Sequence, residues 1–352
     1  MVTGITPLDA PVEPVDALRR IAFLLERERA GTSRVEAFRR AVGVVRATDP
    51  DELASRAEAG TLQELNGIGK STAGVIEEAL GGDLPAYLKT LQDKAPDSLA
   101  DGGDDLREAL RGDCHLHSDW SDGGSPIDEM VLTGVELGHD YLVLTDHSPR
   151  LKVANGLTAE RLTRQLGVVD QVNASLGGQF RLLKGIEVDI LDDGSLDQTA
   201  QMLDRLDLVV ASVHSKLRMN AAPMTRRMVA AVQNPRVNVL GHVTGRLVTG
   251  SRGQRPQSEF DAHAVFEACA EHDVAVEINS RPERCDPPDE LITLALELGC
   301  LFSIDSDAHA PGQLDFKALG CARAERLGVP AVRVVNTWDA DRLVEWARGG
   351  RP

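Results

Sequence analysis

The residues best suited to chemistry stand in one short stretch that contains His115, His117 and Asp122. Side chains two residues apart on a strand point to the same face, so the two imidazoles can face one metal ion. Asp122 follows five residues later, in a Ser/Asp/Gly turn that can bring its carboxylate back over that face. A lone pattern of this kind is more often an exposed polar turn, so the rest of the chain has to decide between the two interpretations.

Apolar segments alternate with amphipathic stretches throughout the second half of the chain. The strand candidates are Asp113–His115, Tyr141–Thr145, Phe180–Val188, Leu206–Val213, Val237–Leu240, Val274–Ile278, Leu301–Ile304 and Ala331–Val335. Helical patterns between them include 126–137, 159–174, 259–271 and 289–298. This alternation predicts an α/β fold with a parallel sheet, either open or closed into a barrel.

Potential metal ligands stand at the ends of most of these strand candidates. In chain order they are His115, His117, Asp122, His147, Glu187, His214, His242, Asp307 and His309. The carboxyl ends of the strands of a parallel barrel meet on one face, where active sites form, so these side chains should converge. The other histidines, His139, His263 and His272, lie on or next to predicted helices, and we interpret them as surface residues.

The region 113–338 resembles the PHP (polymerase and histidinol phosphatase) domain, because His-x-His, Thr-Asp-His, Gly-x-Glu, Ser-Val-His, Gly-His and Ser-Asp-x-His occur in that order. The resemblance implies a distorted (β/α)7 barrel that holds two or three divalent metal ions. It implies one ion at His115, His117, Glu187 and Asp307. It implies a second at Glu187, His214 and His242, and a third at Asp122, His147 and His309. Mixed nitrogen and oxygen ligands suit Zn²⁺, Mn²⁺ or Fe²⁺.

Such a cluster predicts a hydrolase in which a metal-activated hydroxide attacks phosphorus. Asp122, Glu187, Asp307 and Arg284 are the predicted catalytic residues, and Asp146 is predicted to orient an imidazole. Cationic residues near the strand ends could hold further phosphate groups, although ordinary surface charges are an equal alternative. They are Lys216, Arg246, Arg252, Arg281 and Arg284.

The first part of the chain has a helical pattern and a glycine-rich turn. The turn contains Gly67 and Gly69 and leads into a helix that begins at Lys70 or Ser71. It resembles a helix-hairpin-helix, in which free N–H groups at a helix start hold a DNA phosphate, so Gly67, Gly69, Lys70 and Ser71 are the predicted DNA-binding residues. A helical hairpin without a ligand is the alternative. Eight arginines between Arg19 and Arg46, against three glutamates, favour DNA.

The segment 19–80 further resembles the small N-terminal domain of family X DNA polymerases, through the stretch 34–41 and the Gly67/Gly69 turn. Members of that family with lyase activity form a Schiff base on a lysine, but the matching residue here is Val75, which cannot form an imine. No polymerase palm follows. We therefore expect a flexible tail (1–14), a helix-hairpin-helix domain (15–95), a linker (96–112) and a PHP domain (113–352), with neither lyase nor polymerase activity.

Composition and charge limit the remaining possibilities. A net charge of −17 disfavours extensive binding to duplex DNA or an anionic membrane, although it suits a site that collects cations. The absence of an 18-residue apolar run predicts no membrane span. Five scattered cysteines and an N-terminus without a signal-peptide pattern predict reduced thiols and a cytoplasmic location.

Three functions fit these observations. The leading one is a DNA-repair phosphodiesterase with DNA ends as substrate, a 3′–5′ exonuclease that would act on single-stranded or gapped DNA. The second is a small-molecule phosphomonoesterase of the histidinol-phosphate phosphatase type, which the acidic catalytic domain favours. The third is a DNA-end scaffold with structural metals, which nine intact ligands argue against because a structural site needs only one closed ion.

Overall fold

The computed structural model of the protein describes residues 5–250 and 253–349. The described residues divide into two compact units, one that runs to Asp97 and includes the short segment Ala310–Gln313, and one that contains the rest. No helix of the described residues has the length and apolar character that crossing a membrane requires.

The first unit consists of five helices around an apolar core. They are α1 (Pro14–Arg27), α2 (Thr32–Ala47), α3 (Pro50–Glu58), α4 (Lys70–Leu80) and α5 (Ala86–Lys94). One face of α1 buries Leu18, Ile21 and Leu25, which pack in one cluster with Ile76 of α4 and Leu88 of α5. Spacings of three and four residues place these side chains on one face of the helix, as the sequence predicts.

The second unit is built on seven parallel strands with helices between them. The strands are β1 (Gly112–Leu116), β2 (Tyr141–Leu144), β3 (Arg181–Asp189), β4 (Leu208–Ser212), β5 (Val239–Leu240), β6 (Ala275–Asn279) and β7 (Phe302–Asp305). The helices are α6 (Asp104–Ala109), α7 (Ile127–Glu136), α8 (Ala159–Ser175), α9 (Ala200–Leu203), α10 (Ala221–Val232), α11 (Ala262–Glu271), α12 (Asp289–Glu297), α13 (Lys317–Arg326) and α14 (Ala340–Ala347).

The sheet curls into a nearly closed barrel, which confirms the predicted (β/α)7 architecture. The strands pair in sequence order from β1 to β7. The two outer strands then meet, because the Cys114 amide donates to Asp305 (2.9 Å) and the His117 amide donates to the Ala308 carbonyl (2.8 Å). The strands are buried on both faces, because helices cover the outside of the barrel and the strands' own side chains fill the inside.

The eighth strand candidate, Ala331–Val335, is wrong. This segment forms short 3-10 turns at Ala331–Arg333 and Val335–Thr337. The side chain of Asn336 then lies between β1 and β7, where it donates to the Ile304 carbonyl (2.7 Å) and accepts from the Ile304 amide (3.1 Å). A side-chain amide thus satisfies backbone groups that another strand would otherwise pair with.

Two further features concern the segment before β1 and the amino ends of the strands. The segment expected to be a linker, 96–112, contains α6 and the first residue of β1. The amino ends of the strands are filled by a cluster in which Tyr141 and Leu208 pack with Trp338 and Trp346. Aromatic side chains thus fill the end of the barrel opposite to the carboxyl ends of the strands.

Candidate metal centre

All nine predicted ligands come together at the carboxyl end of the sheet. His115 lies in β1 and Glu187 in β3, and both side chains are buried inside the barrel. The others lie in the segments that directly follow a strand: His117, Asp122, His147, His214, His242, Asp307 and His309. The parallel arrangement of the strands thus gathers residues that are almost 200 positions apart in the sequence.

Glu187 is the centre of this cluster. Its Oε1 lies 2.9 Å from Nε2 of His242 and 3.2 Å from Nε2 of His214. Its Oε2 lies 2.8 Å from Nδ1 of His147 and 3.4 Å from Nε2 of His115. Nε2 of His117 lies 3.6 Å from the same Oε2. One carboxylate therefore faces five imidazoles, each of which presents a ring nitrogen to it.

The cluster continues outward to Asp122. Oδ1 of Asp122 lies 3.5 Å from Nε2 of His147 and 3.4 Å from Nε2 of His309. The ring of His117 lies between these two, with centroid distances of 4.4 and 4.3 Å to the rings of His147 and His309. Asp307 completes the arrangement, since its Oδ1 is 3.4 Å from Nε2 of His117.

Three groups of these side chains have ligand atoms close enough to share one ion each. They are His115, His117 and Asp307; His147, Glu187 and His214; and His117, Asp122, His147 and His309. These groups correspond to the three predicted ones with three differences. Glu187 is absent from the group of His115, His117 and Asp307. His147 takes the place of His242 in the group around Glu187, and His117 joins the outer group.

The buried ring nitrogens test whether cations fit here. Among the described residues, Nε2 of His115, His117 and His214 is buried without a hydrogen-bond partner. A buried polar atom without a partner is costly. Divalent cations would satisfy these lone pairs, so the residues fit the ions that the sequence predicts.

The charges of the cluster act strongly on each other. Burial alone would raise the pKa of Glu187, but the facing imidazoles, above all that of His214, outweigh burial and hold it well below its usual range. Burial would lower the pKa of His214, but the carboxylates of Glu187 and Asp189 together outweigh burial and raise it to about 9. Burial and the neighbouring His309 and His147 keep the pKa of His117 well below its usual range.

Glu277 is a residue of this site that the sequence analysis missed. It is fully buried in β6, and its Oε1 lies 2.6 Å from Nδ1 of His115. Its Oε2 accepts from the His242 amide and from Nδ2 of Asn279, which also donates to Asp307. A carboxylate that accepts from Nδ1 of a histidine turns the Nε2 lone pair toward the opposite side, here toward Glu187. The sequence offered one signal for this residue, since Glu277 is a charged residue within the apolar strand candidate Val274–Ile278.

Asp146 does not contact a histidine in the way predicted. Its carboxylate accepts from the Ser118 amide (2.8 Å), the Ser118 hydroxyl (2.6 Å) and the Gln165 amide group (2.6 Å). Burial raises the pKa of Asp146, against these hydrogen bonds. The residue therefore anchors the loop that carries Asp122, because Ser118 begins that loop.

The predicted cationic residues occupy different environments. Arg284 donates from Nε to Oδ2 of Asp307 (3.1 Å), and Arg281 lies 2.8 Å from Nδ1 of His309. Arg246 donates to backbone carbonyls of the loop after β6, including that of Cys285, and Lys216 pairs with Asp192, so both serve local structure. The remaining candidate, Arg252, lies outside the described residues.

His139 is not the surface residue that the sequence suggested. It is half-buried, and its Nε2 lies 2.6 Å from Nζ of the buried Lys317. Burial and this neighbouring ammonium group lower the pKa of His139 well below its usual range. His263 and His272 are exposed.

In the helical unit, the predicted turn joins two helical segments. Gly67 has φ +103°, and a Cβ there would lie 3.0 Å from Val44, so only glycine fits. The helix α4 begins at Lys70, as predicted, and the Gly69 amide donates to the Thr72 hydroxyl (2.9 Å). Lys70 and Ser71 are exposed at the start of this helix.

The arginines upstream of this turn are divided between interior and surface. Arg19, Arg20 and Arg27 are buried, whereas Arg34 and Arg40 are exposed. The basic character that favoured DNA therefore belongs only partly to the surface.

Comparisons with known proteins agree with this architecture. Residues 113–281 match the PHP domain family, and residues 12–82 match a helix-hairpin-helix domain family. The DNA polymerase/3′-5′ exonuclease PolX of Bacillus subtilis is 39% identical over 227 residues, which cover 64% of this chain and 39% of that protein. The chain thus spans about two fifths of the length of this relative.

A second kind of relative is shorter. Probable phosphatase YcdX of Escherichia coli is 28% identical over 211 residues, which cover 56% of this chain and 78% of that protein. Among solved structures, a histidinol phosphate phosphatase from Lactococcus lactis, complexed with zinc, L-histidinol and phosphate, is 19% identical with a TM-score of 0.45. That match covers 62% of this chain and 92% of the solved one, a likeness too low to bear on function. On the two domain matches, the chain carries a PHP domain preceded by a helix-hairpin-helix domain.

Proposed function

We propose that this protein is a metal-dependent phosphoric ester hydrolase that cleaves phosphodiester bonds at DNA ends, as a 3′–5′ exonuclease in DNA repair. The observation that carries the proposal is the convergence of six imidazoles and three carboxylates, with buried and unpartnered ring nitrogens, at the open end of the barrel. The helix-hairpin-helix match and the exonuclease named among the relatives support DNA as the substrate.

The residues of the centre would hold two or three divalent ions. His115, His117 and Asp307 form one group. Glu187, His147 and His214 form a second, and His242 also lies next to Glu187. The third group consists of His117, Asp122, His147 and His309. The mixture of imidazole and carboxylate favours Zn²⁺, Mn²⁺ or Fe²⁺. Bound there, such ions supply positive charge that lowers the pKa of water and stabilises negative charge on phosphate oxygens.

The chain's own residues prepare and complete this centre. Glu277 fixes the ring of His115, and Glu187 holds the surrounding imidazoles around one point. Arg284 lies beside Asp307 and lines the cavity above the cluster, so its other N–H groups can donate to a phosphate oxygen. A guanidinium group is well suited to this contact because its planar fork matches the geometry of a phosphate.

The helical unit would hold DNA without reading its sequence. The exposed start of α4 follows Gly69, and its residues Lys70 and Ser71 offer backbone N–H groups and one ammonium group to a phosphate. Contacts to phosphate fix the position of DNA but carry no sequence information. This fits an enzyme that shortens DNA ends of any sequence.

A small-molecule phosphomonoesterase is the second candidate. It is favoured by the relatives named as phosphatases, which are covered over most of their length, and by the net charge of −17. In that case the helix-hairpin-helix unit would contribute nothing to the reaction. A DNA-end scaffold is the third, and it requires bound metal without turnover.

One parallel assay separates the three candidates. Purified protein with Mn²⁺ is incubated with 5′-labelled single-stranded and gapped DNA and, separately, with histidinol phosphate. We expect a ladder of shortened DNA that disappears in His115→Ala, because His115 belongs to the buried part of the cluster. Phosphate release without DNA shortening would establish the second candidate. Bound metal with neither activity would establish the third.

A further inference from the structure

The cavity at the predicted ligands has both aliphatic and cationic residues in its lining. It encloses about 750 Å³, and Glu187, His214 and Asp307 line it. The aliphatic residues include Leu151, Val153 and Ala154, which we call the ledge, and four arginines also line the cavity. This volume is within the range of small-ligand pockets and is more than one phosphate group requires.

The ledge contains an apolar side chain that is exposed to solvent. Val153 is 94% exposed, in a 3-10 turn that spans Lys152–Ala154, while its neighbour Ala154 is buried. Single exposed valines are common, but this one lines the cavity of a proposed phosphoesterase centre.

The segment on either side of the ledge is fixed in place. The Arg150 amide donates to Asp197 (2.9 Å) at its start. At its end, Arg161 donates to the Gly156 carbonyl (3.2 Å). A Cβ at Gly156 would lie 1.9 Å from the Ser148 carbonyl oxygen, so the backbone passes too close there for any other residue. The ledge is therefore a preformed surface.

Arg218 is an arginine of the cavity lining whose guanidinium group is not engaged by other described residues of the protein. It is exposed, four residues after His214, and within the described part of the chain no hydrogen bond or ion pair involves it. In contrast, Arg281 and Arg284 both contact Asp307 or His309, and Arg255 donates to the Gly245 carbonyl. Arg218 is thus the guanidinium group available to an anion beyond the reacting phosphate.

We propose that this cavity is a nucleotide subsite in which the ledge packs against a nucleoside and Arg218 binds the phosphate next to the reacting one. The proposal rests on the proposed hydrolase function and names the residues that would bind a nucleoside and a second phosphate of its substrate. No Phe, Tyr or Trp lines the described part of the cavity, so the nucleoside would pack on aliphatic groups without stacking. Such packing tolerates every base.

Three chromogenic or labelled diesters separate the two contacts. Bis(p-nitrophenyl) phosphate has no nucleoside, thymidine 5′-(p-nitrophenyl phosphate) adds one, and a labelled thymidine oligonucleotide adds the second phosphate. We expect Val153→Ser to lower kcat/KM about tenfold for the two substrates with a nucleoside, mainly through KM, and not for the first, because only an aliphatic contact is lost. We expect Arg218→Gln to lower kcat/KM about tenfold for the oligonucleotide alone.

Two control variants make the same chemical changes elsewhere. Val332 is also an exposed valine in a 3-10 turn, and Arg226 is an exposed arginine in α10, and neither lines the cavity. Val332→Ser and Arg226→Gln should match the wild type on all three substrates. The proposal is overturned if each variant behaves like its control, or if Val153→Ser slows all three substrates equally.

A binding measurement keeps this test separate from that of the proposed function. In calorimetric titrations of the metal-loaded protein, thymidine 5′-monophosphate should bind more tightly than inorganic phosphate, and Val153→Ser should remove most of that difference. An inactive wild type that still shows the difference would overturn the hydrolase and leave the nucleoside contact standing. Equal affinities for the two ligands in the wild type would overturn the subsite.

Discussion

The inner and outer halves of the metal centre are built in different ways. Inside the barrel, the side chains of His115 and Glu187 are fully buried and that of His242 is 2% exposed. At the mouth, the side chains of Asp122 and His309 are 30% and 21% exposed. In the inner half, His115 and Glu187 lie in strands and His242 follows β5 directly, whereas loops position the outer half.

This difference has a physical consequence for the ions. Inner ligands are enclosed by further buried carboxylates and amides, such as Glu277 and Asn279, that fix their orientation. Asp122 depends on the loop that Asp146 anchors, where the Gly123 amide donates to the Ser118 carbonyl (2.9 Å). Ions at the inner half should therefore bind tightly, and an ion at the outer half should exchange readily with solvent.

The largest effect is expected from Glu187→Gln. An amide keeps the size of the side chain but loses the negative charge that faces five imidazoles. Turnover should fall about 10³-fold or more, which corresponds to ~4 kcal/mol in activation free energy. Metal content, measured by mass spectrometry of digested protein, should fall by at least one ion per chain.

Glu267→Gln is the matched control for that change. Glu267 is exposed on α11, where it pairs with His263, and the substitution should leave both turnover and metal content unchanged. Full metal content in Glu187→Gln would show that Glu187 is not a ligand and would remove the basis for an inner half.

Glu277→Gln should have the next largest effect, since it acts through another residue. The amide can still contact His115 but holds its ring less firmly than a carboxylate does. Metal affinity should fall by about 10- to 100-fold, the range seen when such supporting groups are changed. Competition with a chelator of known affinity measures this loss. Restored turnover at high metal concentration identifies a positioning role, whereas turnover that stays low would contradict it.

Glu277 also shows where prediction from the sequence stops. The nine ligands stand next to strand ends, and a parallel sheet places strand ends together, so their convergence followed from local patterns. Glu277 stands inside a strand, and its partner His115 is 162 residues away. A single sequence contains no signal for such a pair, because only the closure of the barrel brings the two strands opposite each other.

The incorrect eighth strand has a related cause. Ala331–Val335 is as apolar as the true strands, and apolar pattern alone cannot distinguish a strand from buried turns. Pro330 precedes the segment and Asn336 follows it, and the latter pairs with β7 through its side chain. Asn336 thus occupies, with its side chain, a position on β7 that an eighth strand would pair with.

Asp122→Asn should have a smaller effect than either inner change. The substitution weakens only the outer group, in which His147 and His309 face Asp122. We expect one ion fewer per chain and a loss of turnover of about tenfold, because outer charge stabilises the reacting phosphate less directly. Two ions should stay bound after dialysis of this variant. A loss as large as that in Glu187→Gln would mean that the two halves act as a single unit.

Lys70→Gln should have the smallest effect of these substitutions, because it changes neither half of the metal centre. Lys70 is exposed at the start of α4, and one lost phosphate contact should weaken DNA binding by about threefold and lower the salt dependence of binding by roughly one unit of slope. Hydrolysis of bis(p-nitrophenyl) phosphate should stay at the wild-type rate, since this substrate has no DNA backbone to hold. Fluorescence anisotropy with labelled DNA over a range of salt concentrations measures the first effect, with Lys89→Gln on α5 as the matched control. If the two variants bind DNA equally well, the turn at Gly67 and Gly69 is a structural hairpin, and DNA, if it is the substrate, is held by the barrel alone.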